Sequence, residues 1–480
     1  MQFKVSSLFI ALFIFFSFTS KSQEVVSSEF LLSYSVEEFQ NDFGIAFSQY
    51  GTDLYRVLYT TTDLNNEIDT ASGLVVVPQL DDFNFPLLSY GHGTVASRFE
   101  VPGYLSFESV LPAIYSSMGV VSVAPDYLGL GNSKGFHPYV HADTEASASY
   151  DMIVAVENWI EDGLGAKLND ELILTGYSQG GHTAMALHRL IEQETDRAIT
   201  LAMPMSGPYS ISSGVRDILI SNEEYSVVSY VAYVALSYQE VYGNIFPNND
   251  INQFFKPEYI SYINQFANEE LALFELDTLL RDELIDQVGG AFPSAMIQDQ
   301  IVEEILNDED HPVNVALRDN DVFDWAPQAD TRILYCLGDD QVAFTNALIA
   351  RDTMLANGAP MVTATNLADD FDHGECVQPS ATILVFYLLA SSGPTSVADE
   401  SNISFSIFPN PSNGGTTVGG NFEEEIAIDV FNIDGQLVSQ FSNVRSGDRI
   451  DINQSSGLYF MMMKNEKGQL LQTEKLIINR

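Results

Sequence analysis

The chain has 480 residues, enough for two or three structural units and a sizeable core. Its 66 acidic residues against 20 basic ones give a formal net charge of -46. That excess repels polyanions and is unlike a polybasic membrane binder, so it excludes nucleic acid as a partner; its simplest role is solubility outside the cell.

Taken in order, the chain opens with Lys4, an apolar run Leu8–Phe18 and the small residues Ser20 and Ser22. This pattern predicts a signal peptide over residues 1–22, cleaved before Gln23. No later apolar stretch approaches transmembrane length. Strand-like runs follow at Tyr55–Thr61, Gly73–Val77, Pro86–Tyr90 and Gly119–Ala124. The third leads into Gly91-His92-Gly93-Thr94, where the glycines permit close backbone approach.

The strand Leu172–Thr175 runs into G-Y-S-Q-G-G (Gly176–Gly181) and a helical stretch, His182–Ile191. An apolar strand, a Gly-x-Ser-x-Gly turn and a helix together form a nucleophile elbow, with Ser178 as the exposed hydroxyl. A serine hydroxyl needs a base, the base needs an orienting acid, and an oxyanion needs backbone donors. The N–H of Gln179 is one such donor by construction, and Gly93 or Thr94 is the candidate for the second.

Beyond the strand Ala198–Met205, residues from about 208 to 328 are helical, acidic and tyrosine-rich, too long for a connection. They are expected to form an inserted helical cap, with Val227, Val228, Val231, Val234 and Ala235 as core positions of one helix. The loop Asn307–His311 reads as a solvated charge run and not as a metal site. The strand Arg332–Leu337 ends in G-D-D-Q-V, which offers Asp339 or Asp340 as the acid, the spacing to Val342 favouring Asp339. A helix (Asn346–Asn357) and a strand (Met361–Leu367) then precede His373, the one histidine of seven in a polar loop beyond the acid strand. His92 reads as loop-shaping, and the other five as ordinary surface or core histidines. Cys336 and Cys376 flank the acid and base candidates, and a disulfide between them or a pair of buried thiols both fit. The helix Ala381–Ala390 ends this unit.

Strands separated by helices imply a mostly parallel α/β sheet with helices on both faces. A linker-like stretch (391–402) follows, and then short runs at Ile403–Phe408, Ile426–Asn432, Leu458–Lys464 and Leu476–Ile478 separated by turn dipeptides, which predict a small all-β, sandwich-like domain.

Four motifs together, Gly91–Thr94, Pro125–Gly131 (P-D-Y-L-G-L-G), His137–Ala142 (H-P-Y-V-H-A) and Gly176–His182, resemble the α/β-hydrolase lipase/esterase family related to fungal secretory lipases (lipase A-like), over roughly Leu54–Ala390. The resemblance implies the α/β-hydrolase fold over 23–390, a triad of Ser178, Asp339 and His373, a cap over an ester-binding pocket, Asp126 and Tyr127 on the pocket rim, and no cofactor. Phe408–Pro411 (F-P-N-P), Asp434–Val438 (D-G-Q-L-V) and Gly457–Tyr459 (G-L-Y) are similar to a type A C-terminal sorting domain of the type IX secretion system, here 403–480. This implies the secretion machinery as a partner and an extracellular or outer-surface location. The expected activity is hydrolysis of a small-molecule, lipid or carbohydrate ester. A prolyl-type serine peptidase and a non-catalytic surface binding protein on the same fold are the alternatives.

Overall fold

The computed structural model describes residues 23–391, 405–422, 424–433, 435–465 and 470–480. The expected signal peptide (1–22) and all but the first residue of the expected linker (391–402) lie outside them.

Nine strands build the main sheet: β1 (Val25–Tyr34), β2 (Thr52–Thr62), β3 (Ile68–Pro78), β4 (Asn84–Gly91), β5 (Val121–Pro125), β6 (Lys167–Tyr177), β7 (Leu201–Met205), β8 (Asp330–Tyr335) and β9 (Val362–Asn366). Their order is β1-β2-β3-β5-β4-β6-β7-β8-β9. Pairing is antiparallel from β1 through β5 and parallel from β5 to β9. The central strands read as continuous apolar runs because both faces are covered. With a side-chain period of two, Val75, Leu87, Leu172 and Leu174 pack on one face with Met152, Val156 and Leu187. Leu74, Leu88, Ile173 and Met203 pack on the other with Leu384 and Phe386. The helices responsible are Ala142–Leu164 and Gln179–Glu194 on the first face and Val377–Ser391 on the second.

Between β7 and β8 the chain leaves the sheet and forms six α-helices, from Ile211–Ile220 to Pro312–Asp319. They enclose a core of their own, in which Val228, Val231, Val234 and Ala235 meet Leu276, Leu280 and Leu284. Tyr233, Tyr238 and Tyr259 also belong to that core, so most of the tyrosine signal in this stretch is packing.

The C-terminal domain holds β10 (Phe405–Phe408), β11 (Gly415–Gly420), β12 (Ile426–Asn432), β13 (Leu437–Val444), β14 (Arg449–Asp451), β15 (Gly457–Lys464) and β16 (Leu470–Ile478) in two antiparallel sheets, β10-β11-β14 and β13-β12-β15-β16. Alternation again divides the side chains. Val430, Met461 and Met463 face the domain's own core, whereas Phe431, Phe460 and Met462 join the core of the main sheet. Phe460 stacks on Phe386 with centroids 4.0 Å apart, and Phe431 meets Phe47 edge-on at 5.7 Å. Among the described residues, no helix is long and apolar enough to cross a membrane.

Truncating Phe386 removes the ring shared by the two domains. Phe386→Ala is expected to destabilise the chain by about 3–5 kcal/mol, the usual cost of deleting a buried aromatic side chain. A clear fall in the urea midpoint checks this, and an unchanged midpoint would mean that the contact carries no stability.

Candidate active site

β6 delivers Ser178 to its turn. The serine sits at φ 59, ψ -119, a left-handed backbone conformation, immediately before the helix Gln179–Glu194. Glycine is required on either side by contact distance. A Cβ on Gly176 would lie 2.2 Å from the Gly180 carbonyl oxygen, and one on Gly180 would lie 1.9 Å from that of Gly91. The turn therefore folds directly over the end of β4, and the Ser178 N–H is held by the Met205 carbonyl at 3.0 Å. The Ser178 side chain is half-buried, at the wall of a cavity of about 880 Å³.

The two acid candidates have different partners. Asp339 lies beside the His373 ring, its two carboxylate oxygens 2.9 and 2.8 Å from Nδ1. Asp340 instead accepts the His373 backbone N–H at 3.2 Å. The Asp339 carboxylate also accepts the N–H groups of Gln341 (3.1 Å) and Val342 (2.8 Å), which is what its spacing to Val342 provides. Because a carboxylate accepts, His373 Nδ1 carries a hydrogen, and in the neutral ring Nε2 then holds the lone pair. Tyr177, next to Ser178, donates its hydroxyl to the His373 carbonyl at 2.5 Å and packs against the ring at 5.1 Å. Among the described residues Ser178 Oγ makes no hydrogen bond to the ring. Cys336 and Cys376 form a disulfide with Cα atoms 6.0 Å apart, which ties the acid loop to the base loop.

On the oxyanion side, Gln179 occupies the first helical position, where an N–H has no intrahelical acceptor. The two other candidates differ. The Gly93 N–H is committed to the Glu108 carboxylate at 3.1 Å, so Gly93 is not a free donor. The Thr94 N–H has no hydrogen-bond partner among the described residues, and its hydroxyl is fixed by Tyr139 at 2.9 Å. His92 is buried, stacks on Tyr127 at 4.1 Å and shapes the loop from beneath. Asp126 and Tyr127, expected on the pocket rim, are instead fully buried. Desolvation raises the pKa of Asp126, against the opposing pull of hydrogen bonds from Ser72 and the Gly103 N–H.

The inserted helices form the opposite wall. Ile211, Ile218, Val231 and Val234 make it largely apolar, with Tyr225 and Tyr230 toward the acid loop. Tyr225 donates to the Gln341 carbonyl (2.9 Å), Tyr230 to the Gln341 side chain (3.2 Å) and Ser226 to the Asp340 carbonyl (2.8 Å). Burial pushes the Tyr230 phenol up to about 12. Among the described residues no group of His, Cys, Asp and Glu could hold a metal ion, and His311, at the end of the acidic loop, accepts the Val313 N–H at a helix start.

Residues 406–479 match the family of secretion system C-terminal sorting domains, which indicates type IX secretion to the cell surface or exterior. No curated protein sequence matches the chain. Among solved structures it is similar to the rice cell wall degrading esterase LipA from Xanthomonas oryzae, at 26% identity and a TM-score of 0.65 over 76% of this chain and 96% of that one. It is also similar to Candida antarctica lipase A in its closed state, at 15% identity and a TM-score of 0.55 over 76% and 80% of the two chains, a likeness of fold alone. The likeness to the esterase supports a hydrolase at a coarse level. The chain joins an α/β-hydrolase fold to a secretion-system C-terminal sorting domain.

Proposed function

We propose that the protein is a secreted serine carboxylic-ester hydrolase that works through an acyl-enzyme on Ser178. One observation carries the reading: a strained serine at a strand-to-helix turn shares a largely apolar cavity with Asp339, whose carboxylate holds His373. In this mechanism His373 Nε2 takes the Ser178 proton as Oγ attacks the ester carbonyl. The N–H groups of Gln179 and Thr94 hold the oxyanion, and His373 returns the proton to the leaving alcohol. Water then repeats the sequence and frees the acid. Asp339 keeps the proton on Nδ1 and steadies the imidazolium. The catalytic unit is residues 23–390, with a cap at about 208–328 and a linker at 391–402. The aliphatic side chains beyond Ser178 suit an ester with an apolar acyl group.

Hydrolysis of p-nitrophenyl esters from acetate to palmitate by the full chain tests the reading. Ser178→Ala is expected to lower kcat by about 10⁴-fold or more, and a folded wild type inert on every ester would contradict it. The two aspartates should separate as their partners do. Asp339→Asn is expected to cost about 10³–10⁴-fold in kcat, and Asp340→Asn at most about tenfold, because its amide oxygen still accepts the His373 N–H. Equal losses would refute this division. Reducing the disulfide should destabilise the chain by about 4 kcal/mol, the loop-closure value for its span, with activity lost in parallel; full activity after verified reduction would rule out a tethering role.

A further inference from the structure

A carboxylate lies buried beneath the elbow. Glu145, on the helix Ala142–Leu164, is 1% exposed, and no lysine or arginine is among its hydrogen-bond partners. Such burial is costly unless both oxygens are bonded, and both are. Oε1 accepts from Gln179 Nε2 at 2.8 Å, and Oε2 lies 2.7 Å from His182 Nδ1. Gln179 and His182 are three apart on the elbow helix and so share a face, which lets one carboxylate grip its first turn at two points. The second amide proton of Gln179 is also accounted for. His137 Nδ1 faces the Leu128 carbonyl at 2.7 Å and must carry the hydrogen, so Nε2, 2.8 Å from Gln179 Nε2, accepts. Burial lowers the His137 pKa to about 4, which keeps that lone pair available. His182 Nε2 continues the chain of contacts to the Asn320 carbonyl in the inserted region at 3.0 Å.

We propose that Glu145 is a positioning residue for the oxyanion hole: by fixing the Gln179 side chain it aims the Gln179 N–H at the developing charge. The proposal rests on the ester-hydrolase reading. Donor direction matters because oxyanion stabilisation depends on preset geometry, and small misplacements are felt in kcat.

The test compares three full-chain variants on p-nitrophenyl butyrate, with kcat counted per site titrated by a fluorophosphonate. Glu145→Leu removes both acceptors. Gln179→Met removes the anchored amide but keeps its backbone N–H and the Glu145–His182 contact. Glu145→Gln keeps an acceptor facing Gln179. The first two are expected to lose about 10–100-fold in kcat with KM within about twofold, and Glu145→Gln to stay within about threefold of wild type. If Glu145→Leu does not fold, the other two variants decide. A Gln179→Met enzyme with wild-type kcat per titrated site, however far its melting temperature falls, overturns the proposal and leaves the hydrolase reading intact. A folded wild type that cleaves no ester overturns both.

Discussion

The close approach of three glycines, Gly91, Gly176 and Gly180, is the constraint on which the rest of the site depends. Gly91 and Gly176 are register partners at the ends of β4 and β6, and the elbow helix starts directly above them. No side chain fits between these backbones. The serine is thereby forced to positive φ at the end of the sheet, and the helix that follows begins with unpaired N–H groups. Packing on both faces of the sheet resists relaxation of the strain, with Leu172 and Leu174 on one side and Ile173 on the other.

A second set of contacts brings distant loops to that serine. Asp339 takes the ring of His373 and Asp340 its backbone, while the disulfide joins the roots of the same two loops. From the inserted helices, Tyr225, Ser226 and Tyr230 bond the acid loop. Opening of this region would therefore disturb the acid directly. The C-terminal domain is also not a detached bead, because Phe460 stacks on Phe386 of the helix that follows the base loop.

What could be read in the chain is what depends on neighbours along it. The elbow and the candidate acid after β8 each follow an apolar run, the candidate base follows the strand-like run of β9, and spacing to Val342 marks Asp339 because the turn's own N–H groups bond its carboxylate. Other features were hidden by long-range partners. Gly93 looked as able a donor as Thr94 until Glu108, fifteen residues on, took its N–H. The resemblance puts Asp126 and Tyr127 on the rim, but both are buried, Asp126 against Ser72 and the Gly103 N–H and Tyr127 against His92. Strand β1, V-V-S-S-E-F-L-L-S-Y, escaped notice because as a largely exposed edge strand it needs neither alternation nor a continuous apolar run. β11, rich in glycine, and β13, half of it exposed, lack these signals for similar reasons. Glu145 carries no spacing signal, since both its partners lie on the elbow helix, 34 and 37 residues along the chain.

The central claim is that Ser178 is a nucleophile activated by its setting and not by its sequence context alone. Treating the folded chain with a fluorophosphonate and mapping the adduct by peptide mass spectrometry tests it most directly. The account predicts one adduct, on the peptide that carries Ser178, formed far more slowly in His373→Ala. Labelling of a different serine, or none in a folded chain, would contradict it.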